Sequence, residues 1–148
     1  MKSPSGLLAD LFYGLAEADL PRLVECFEFR HLPAGQTLWS EGENCPGIVF
    51  VVTGELEARK KTEFGSRQVV IGLIGAGSLA GENALFGDPE ADSSIAARQD
   101  TSLLLLPRDR FETLADEHPE TAVRLMRSMM AMLSLRMRHL SGRLTSLF

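Results

Sequence analysis

Two short segments of this sequence, Gly81–Phe86 and Asp92–Ala97, combine the residue types that a ligand-binding turn requires. In the first segment, a glycine meets a carboxylate at the predicted start of a very short helix. The first N–H groups of a helix lack partners and attract anions, and Gly81 lets the backbone come close to a ligand. A polar loop and a new strand follow. The pattern therefore predicts an anion-binding helix start, followed by Asp92 and Ser93 in the next loop.

Glu82 also has a purely structural explanation. A carboxylate in the first turn of a helix is stabilising without any ligand, because it faces the positive end of the helix dipole. Leu85 and Phe86 are apolar and can anchor the short helix in a core, so we expect the helix to form without ligand. The Gly-Glu pair is a weak signal by itself, and its meaning depends on the elements around it.

The sequence lacks the residue patterns of the common metal-binding and catalytic sites. His31, His118 and His139 are scattered, so they do not form the metal cluster of a β-roll enzyme. Cys26 and Cys45 do not supply the four ligands of an iron–sulfur cluster. The sequence contains no Ser–His–Asp or nucleophile-elbow pattern. We therefore expect no enzyme, no catalytic residue and no metal site.

The composition is typical of one soluble globular domain. The chain has 148 residues, of which 45% are apolar and 24% are charged, and its formal net charge is -5. This negative charge argues against nucleic acid as a partner of the whole surface. The segment from Thr121 onward differs, since it holds five arginines and no acid. That charge suits the C-terminal end of a helix, or alternatively an acidic partner.

The cysteines and the apolar runs indicate where the protein is found. Cys26 and Cys45 share no short motif, which fits a reduced, cytoplasmic protein with buried thiols better than a disulfide framework. No signal peptide is evident, because Asp10 interrupts the apolar stretch Leu7–Leu15. The longest apolar runs, such as Ile48–Val52, are far too short to span a bilayer. We therefore expect a cytoplasmic protein without a membrane partner.

The elements that hold Gly81–Phe86 follow from changes in the hydrophobic period. An N-terminal segment, 1–25, is predicted to contain an amphipathic helix over 5–16 and a second short helix capped by Asp19. From 26 to 107, short strands alternate with glycine turns, which is typical of an all-β barrel or jelly roll. The sequence thus predicts an all-β barrel or jelly roll in which the short helix of 81–86 is inserted late.

The C-terminal segment, 108–148, returns to the helical period. Arg108–Asp116 is predicted as a short helix, and Pro119 can open a long one. Apolar residues recur along the long helix at the a and d positions of four heptads, which is typical of a coiled-coil seam between two chains. They are Val123, Met126, Met130, Leu133, Met137, Leu140, Leu144 and Leu147. A second apolar face near the start of the helix is expected to pack on the β-roll; it contains Leu125, Met129 and Met132.

Several short segments match one known domain family. They are Leu32-Pro33-Ala34-Gly35-Gln36, Glu41-Gly42, Val52-Thr53-Gly54-Glu55-Leu56, Gly77-Ser78-Leu79-Ala80-Gly81-Glu82, Leu85-Phe86 and Phe111-Glu112-Thr113-Leu114. With the order of elements, they resemble the cyclic nucleotide-binding domain of the catabolite-activator (Crp/Fnr-type) family over nearly the whole chain. The resemblance implies a mainly β fold with flanking helices. A β-roll, or double-stranded jelly roll, is joined to a long C-terminal dimerisation helix in one domain overall.

The resemblance also implies that 81–86 is a phosphate-binding cassette. In the family, the glycine and the backbone N–H groups of this segment face the cyclic phosphate, and the matching residues here are Gly81, Asn83 and Ala84. The family's glutamate accepts a hydrogen bond from the ribose 2′-hydroxyl, and Glu82 matches it. These four residues are therefore the implied ligand contacts of the cassette.

The sequence departs from the family at the arginine that binds the phosphate. The corresponding positions hold Ala91 and Asp92, while Ser93 matches the small hydroxyl residue that follows the arginine. Arg98 comes too late to replace it, at the far end of the next strand. We therefore expect that cyclic AMP and cyclic GMP do not bind with the affinity usual for the family.

We predict a stand-alone sensor or regulatory domain that forms a homodimer and passes its ligand state to a partner. No ligand is assigned from the sequence; the candidates are a cyclic nucleotide, cyclic AMP or cyclic GMP, and another small molecule. The family's long helix also contacts the base, which implies contacts near Arg136 and Met137. Two alternatives stay open: the sensor part of a Crp/Fnr-type transcription regulator, and a ligand-free dimerisation module. We expect no direct nucleic-acid contact, because no recognition helix is present in this sequence.

Overall fold

The computed structural model describes residues 2–65, 67–87 and 89–146. The contacts divide the chain into two compact units. One unit, Phe27–Arg110, contains the strands, and the other consists of the helical segments on either side of it in sequence. Within the described ranges, the structure contains no helix with the length and apolar character needed to cross a membrane.

The described part of the strand unit contains eight strands in two four-stranded antiparallel sheets. Their bounds are β1 (Glu28–Leu32), β2 (Thr37–Trp39), β3 (Gly47–Thr53), β4 (Glu55–Lys61), β5 (Gln68–Gly75), β6 (Leu79–Ala80), β7 (Ser94–Ala97) and β8 (Thr101–Pro107). The first sheet has the order β1-β8-β3-β6, and the second has the order β2-β7-β4-β5. This architecture confirms the predicted β-roll.

The burial of the strands follows their residue pattern. In β4, Leu56 and Ala58 are buried whereas Glu57 is only half-buried, as the alternation of side chains across a strand requires. The central strands β3 and β8 are nearly continuous apolar runs and are buried along most of their length. Val49 and Leu103 belong to the resulting core. Each such side chain contributes about 1.5–3 kcal/mol when it is fully removed from water.

The described residues also form four α-helices. They are α1 (Pro4–Leu11), α2 (Asp19–Cys26), α3 (Arg108–Glu117) and α4 (Pro119–Ser146). The last two agree with the sequence-based prediction. The first is shorter than the predicted 5–16, because Phe12 is extended and Gly14 has a left-handed φ of +83°. At its start, the Ser3 hydroxyl accepts a hydrogen bond from the Gly6 N–H at 3.1 Å.

Asp19 does not cap α2 as predicted but forms a buried polar cluster with α4. Its side chain is fully buried and accepts hydrogen bonds from Arg124 Nε at 2.6 Å and Arg124 Nη2 at 2.8 Å. The Thr121 hydroxyl donates at 2.6 Å, and the Ala16 N–H donates at 2.8 Å. The Arg124 guanidinium holds the pKa of the Asp19 carboxyl well below its usual range. We call these four residues the Asp19 cluster.

Helix α4 has two faces with different surroundings. One face is buried, and its buried residues are Thr121, Ala122, Leu125, Ser128 and Met129; Met132 is half-buried. On the predicted seam, Leu133 is half-buried, and the exposed residues are Val123, Met126, Met130, Met137 and Leu140. Leu144 belongs to the same helix, and Leu147 lies outside the described residues. The role of the seam in dimerisation stays a prediction.

Candidate ligand-binding site

Gly81 precedes a short 3₁₀ helix, Glu82–Phe86, which we call the cassette helix. The helix thus begins one residue later than the predicted 81–86. Gly81 has a φ of +83°, in the left-handed region that favours glycine. A Cβ atom at this position would lie 2.6 Å from the Gly47 carbonyl oxygen and 2.9 Å from the Trp39 ring. Packing and backbone conformation therefore both require glycine here, before any ligand is considered.

The cassette helix is attached to the core mainly by Ala84, which is buried. Leu85 is half-buried, and Phe86 is 81% exposed. The prediction that Phe86 anchors the helix is therefore wrong. A 3₁₀ helix has three residues per turn, so five residues can turn few positions toward the core. Glu82 is half-buried at the first turn, as its preference for a helix start predicts.

The loop before β7 brings Asp92 next to the cassette helix. The Asn83 side-chain amide donates a hydrogen bond to Asp92 Oδ2 at 3.3 Å, and the Ser93 hydroxyl lies 3.4 Å from Asp92 Oδ1. Asp92 and Asn83 are exposed, whereas Ser93 is buried. Three of the predicted site residues, which are separated by a loop in sequence, therefore form one group of neighbours at the surface of the β-roll.

Backbone hydrogen bonds hold this loop against an earlier one. Gly42 N–H donates to the Ala91 carbonyl, and Ala91 N–H donates to the Glu43 carbonyl, each at 2.8 Å. Cys45 N–H donates to the Pro89 carbonyl at 2.7 Å. These bonds fix the chain immediately before Asp92, so the position of the Asp92 backbone does not depend on a ligand.

Trp39 and Cys45 form the floor under Gly81. Trp39 Nε1 donates a hydrogen bond to the Ser93 carbonyl at 3.2 Å, and the Cys45 thiol donates to the Gly47 carbonyl at 3.2 Å. Sequence reasoning did not assign either residue to the site. Their proximity to Gly81 results from tertiary packing, which no local sequence pattern predicts. The only available signal is that both are large or soft apolar residues beside turns.

The electrostatic environment of this floor is negative. Burial raises the pKa of the Cys45 thiol, and the charges of Asp92 and Glu82 raise it further. The thiol therefore stays protonated at neutral pH and is a poor nucleophile. A phosphate group placed near the same floor would meet two carboxylates. Within the described residues, no three His, Cys, Asp or Glu side chains are grouped as a metal site.

The remaining predicted site residues lie elsewhere. Arg98 Nη1 pairs with Glu55 Oε1 at 3.1 Å, at the end of β7, so it is engaged away from the cassette helix. Arg136 and Met137 lie on α4, which belongs to the other compact unit. Arg136 is half-buried and Met137 is exposed. Their participation in ligand binding stays a prediction.

A profile of the cyclic nucleotide-binding domain matches residues 29–118 of this chain. The lysophospholipase NTE1 of Phaeosphaeria nodorum is 34% identical over 110 residues, which cover 72% of this chain and 7% of that protein. The cyclic AMP receptor protein of Thermus thermophilus is 30% identical over 112 residues, which cover 76% of this chain and 51% of that protein. The chain therefore spans a small part of the first relative and about half of the second.

The fold is similar to that of a solved cyclic nucleotide-binding domain from Methylobacillus flagellatus KT. The TM-score is 0.81 at 19% sequence identity, with 97% of this chain and 84% of that chain covered. This likeness extends beyond the profile match, because it includes the helical segments on both sides of the strands.

Proposed function

We propose that this chain, which belongs to the cyclic nucleotide-binding domain family, is a regulatory sensor domain with an altered phosphate site. The observation that carries the proposal is the position of Asp92, which accepts a hydrogen bond from Asn83 of the cassette helix. The family resemblance puts an arginine at this place. The glycine turn and the cassette helix are retained, while the charge that would meet the phosphate is reversed.

The size of the expected effect follows from two terms. Losing a hydrogen bond to a charged group costs about 1.5–3 kcal/mol. A carboxylate about 4 Å from a phosphate adds repulsion of roughly 1–4 kcal/mol, between the limits for water and for a protein surface. The sum, about 3–7 kcal/mol, would weaken the binding of cyclic AMP or cyclic GMP by roughly a hundredfold to a hundred-thousandfold. A ligand that is neutral or cationic at this end would avoid both penalties.

Titration calorimetry with cyclic AMP and cyclic GMP tests this proposal. We expect no measurable binding to the wild-type protein and recovered binding to Asp92→Arg. The variant Asp92→Asn is the matched control, because it removes the negative charge without supplying a guanidinium. Low-micromolar binding by the wild type would contradict the proposal. If none of the three proteins binds, a ligand-free dimerisation module becomes the better description.

We also propose that the domain acts as a homodimer through α4. The support is the exposure of Val123, Met126, Met130, Met137 and Leu140 along a regular a/d pattern. Such a stripe of apolar surface is uncommon on a monomer. Dimerisation would bring two copies of the sensor into one assembly, so that a ligand state could be passed on to a partner through the paired helices.

A regulatory role without catalysis agrees with the matched regions. The match to the lysophospholipase is confined to 110 residues, which are 7% of that enzyme. The alternative that this chain is the sensor part of a transcription regulator is favoured by one observation, the 51% share of the Thermus cyclic AMP receptor protein that it covers. The length of the natural reading frame, followed by a gel shift of the full natural protein, would separate the two roles.

A further inference from the structure

The hairpin that joins β4 and β5 is unlike the rest of the β-roll in its exposure. All of its described tip residues, Lys60–Gly65 and Arg67–Ile71, are exposed. The tip is nevertheless an ordered hairpin, since Thr62 N–H donates to the Arg67 carbonyl at 3.0 Å. We call these two ranges the hairpin tip.

The hairpin tip exposes apolar side chains on both faces of the sheet. Phe64 is 97% exposed at the turn, and Val69, Val70 and Ile71 are exposed one after another along β5. Successive residues of a strand point to opposite faces, so neither face of the hairpin is covered here. Ala58 of β4 pairs with Gly72 of β5, but the next residue, Arg59, pairs with Val70. Ile71 therefore has no partner in β4 and forms a β-bulge.

The charge of the hairpin tip is opposite to that of the whole chain. Its charged residues are Lys60, Lys61, Arg67 and Glu63, with a sum of +2, whereas the chain as a whole carries -5. Arg59, next to the tip, is already paired with Glu57. At the base of the tip, Glu41 accepts a hydrogen bond from the Lys61 N–H at 3.0 Å. Three cations and one acid therefore lie on the same hairpin as the exposed aromatic and aliphatic side chains.

We propose that the hairpin tip docks this protein onto the surface of an anionic phospholipid membrane. Lys60, Lys61 and Arg67 would lie among the lipid head groups, and Phe64 would enter the boundary of the acyl chains. Interfacial protein elements combine cations with aromatic and aliphatic side chains in this way, and their apolar parts are buried about 5–10 Å deep. The expectation of no membrane partner came from the absence of a spanning segment, which does not bear on surface docking.

Two other classes of partner explain less of the hairpin tip. Single-stranded nucleic acid would use the cations, but it gains most from aromatic planes on which bases stack, and Val69, Val70 and Ile71 provide none. A helix or strand of another protein would cover one face of the hairpin and leave the other in water. A lipid interface surrounds a projecting element on all sides, so it accounts for both exposed faces together with the positive charge.

Co-sedimentation with vesicles tests the proposal, using vesicles of phosphatidylcholine alone and vesicles of an equal mixture with phosphatidylserine. We expect the full chain to bind only the mixed vesicles, and to bind less as salt is added. Phe64→Ala should weaken binding about tenfold, and the double variant Lys60→Gln, Lys61→Gln about thirtyfold. Tyr13→Ala is the matched control, because it removes an aromatic side chain that is 89% exposed in the other unit.

A fluorescence measurement locates the contact. Trp39, the single tryptophan, is buried, so a second one in Phe64→Trp reports on the hairpin. Its emission should shift to shorter wavelength only with the mixed vesicles. Equal binding to both vesicle types, no binding to either, or an equal loss in Tyr13→Ala would overturn the proposal. So would a shift that grows with protein concentration without vesicles, which would indicate a second copy, or one caused by single-stranded DNA alone.

Discussion

The two faces of α4 differ in how completely the chain covers them. On the first face, the Asp19 cluster satisfies a buried carboxylate with Thr121 and Arg124, and the Ser128 hydroxyl accepts the Tyr13 N–H at 3.0 Å. On the second face, the seam offers apolar side chains that remain in water. The comparison shows that one side of a helix can be buried by contacts within its own chain while the other side stays exposed to solvent.

The difference also separates two ways of stabilising a helix. The first face combines apolar burial with charged hydrogen bonds, which are costly to leave unpaired when they are buried. The seam on the second face presents apolar side chains that need no hydrogen-bond partner. Burying them against another chain would stabilise that association only by removing apolar surface from water. We therefore expect substitutions on the first face to change folding of the monomer. Substitutions on the second face should change association.

A charge on the seam should produce the largest effect. Met130 is 69% exposed, so Met130→Glu should leave the monomer folded. In the dimer, it would bury one unpaired charge per copy at about 3 kcal/mol each, about 6 kcal/mol together, which weakens dimerisation roughly ten-thousandfold. Light scattering over a range of protein concentrations measures this change.

The matched control for the seam is Ala131→Glu. Ala131 is exposed on the adjacent side of α4 and lies outside the a/d pattern, so this variant should dimerise like the wild type. A wild-type protein that is monomeric throughout the micromolar range, or an equal effect of both substitutions, would contradict a dimer held by the seam.

The second prediction concerns the Asp19 cluster. Asp19→Asn removes the charge that Arg124 and Thr121 surround, and it should lower the free energy of unfolding by about 4 kcal/mol. Urea denaturation at one fixed protein concentration measures the difference, since association would otherwise contribute. Glu25→Gln makes the same chemical change at an exposed position of α2 and should alter stability by less than about 0.5 kcal/mol. A loss of similar size in both variants would show that the buried cluster is not responsible.

The third prediction is the pH dependence of that same cluster. Its folded pKa is lowered, so the ionised Asp19 contributes its full stability above the unfolded value of about 4. Below that pH, the unfolded chain takes up a proton first, and the contribution falls by up to about 1.4 kcal/mol per pH unit. The stability difference between wild type and Asp19→Asn should therefore be constant near neutral pH and shrink in acid. A difference that grew on acidification would have the wrong sign.

The smallest effect is expected from Ser128→Ala. This change leaves the Tyr13 N–H without its hydroxyl acceptor, at a cost of about 1 kcal/mol in unfolding free energy. Ser134→Ala, at an exposed position of the same helix, is the control and should be neutral. Thermal unfolding of the two variants side by side would detect the difference, and equal melting temperatures would count against this hydrogen bond.

Most of the fold could be predicted from local patterns. The alternation of Leu56 and Ala58 with charged residues, and the apolar run at Ile48, have the periods of half-buried and fully buried strands. Pro119 and the heptad pattern after it predicted the long helix. The family resemblance rests on motifs together with the order of these elements, and it narrowed the predicted barrel or jelly roll to a β-roll.

The wrong prediction for Asp19 and the missed floor of the site both depended on contacts between distant residues. Asp19 has the sequence context of a helix cap, but its carboxylate bonds to Thr121, which lies 102 residues further along the chain. The floor under Gly81 is also tertiary, since Trp39 ends β2 and Cys45 lies in the loop before β3. Phe86 follows an apolar pattern, yet the short 3₁₀ helix leaves it in water. For Asp19, the local preference was overridden by tertiary packing that the sequence does not display, whereas Phe86 is exposed because so short a 3₁₀ helix turns few positions toward the core.

The separation between Asp19 and Arg124 has a consequence for the way this chain is made. The strand unit is contiguous, so its sheets can pair as soon as β8 has left the ribosome. The Asp19 carboxylate cannot form its ion pair until Arg124, which lies 105 residues further along the chain, has been synthesised. The entropic cost of closing so long a loop grows only with the logarithm of its length, but the carboxylate stays in water until then. We expect α1 and α2, which are synthesised before the strands, to be fixed only after α4 has been made. Until then they stay accessible to chaperones and proteases.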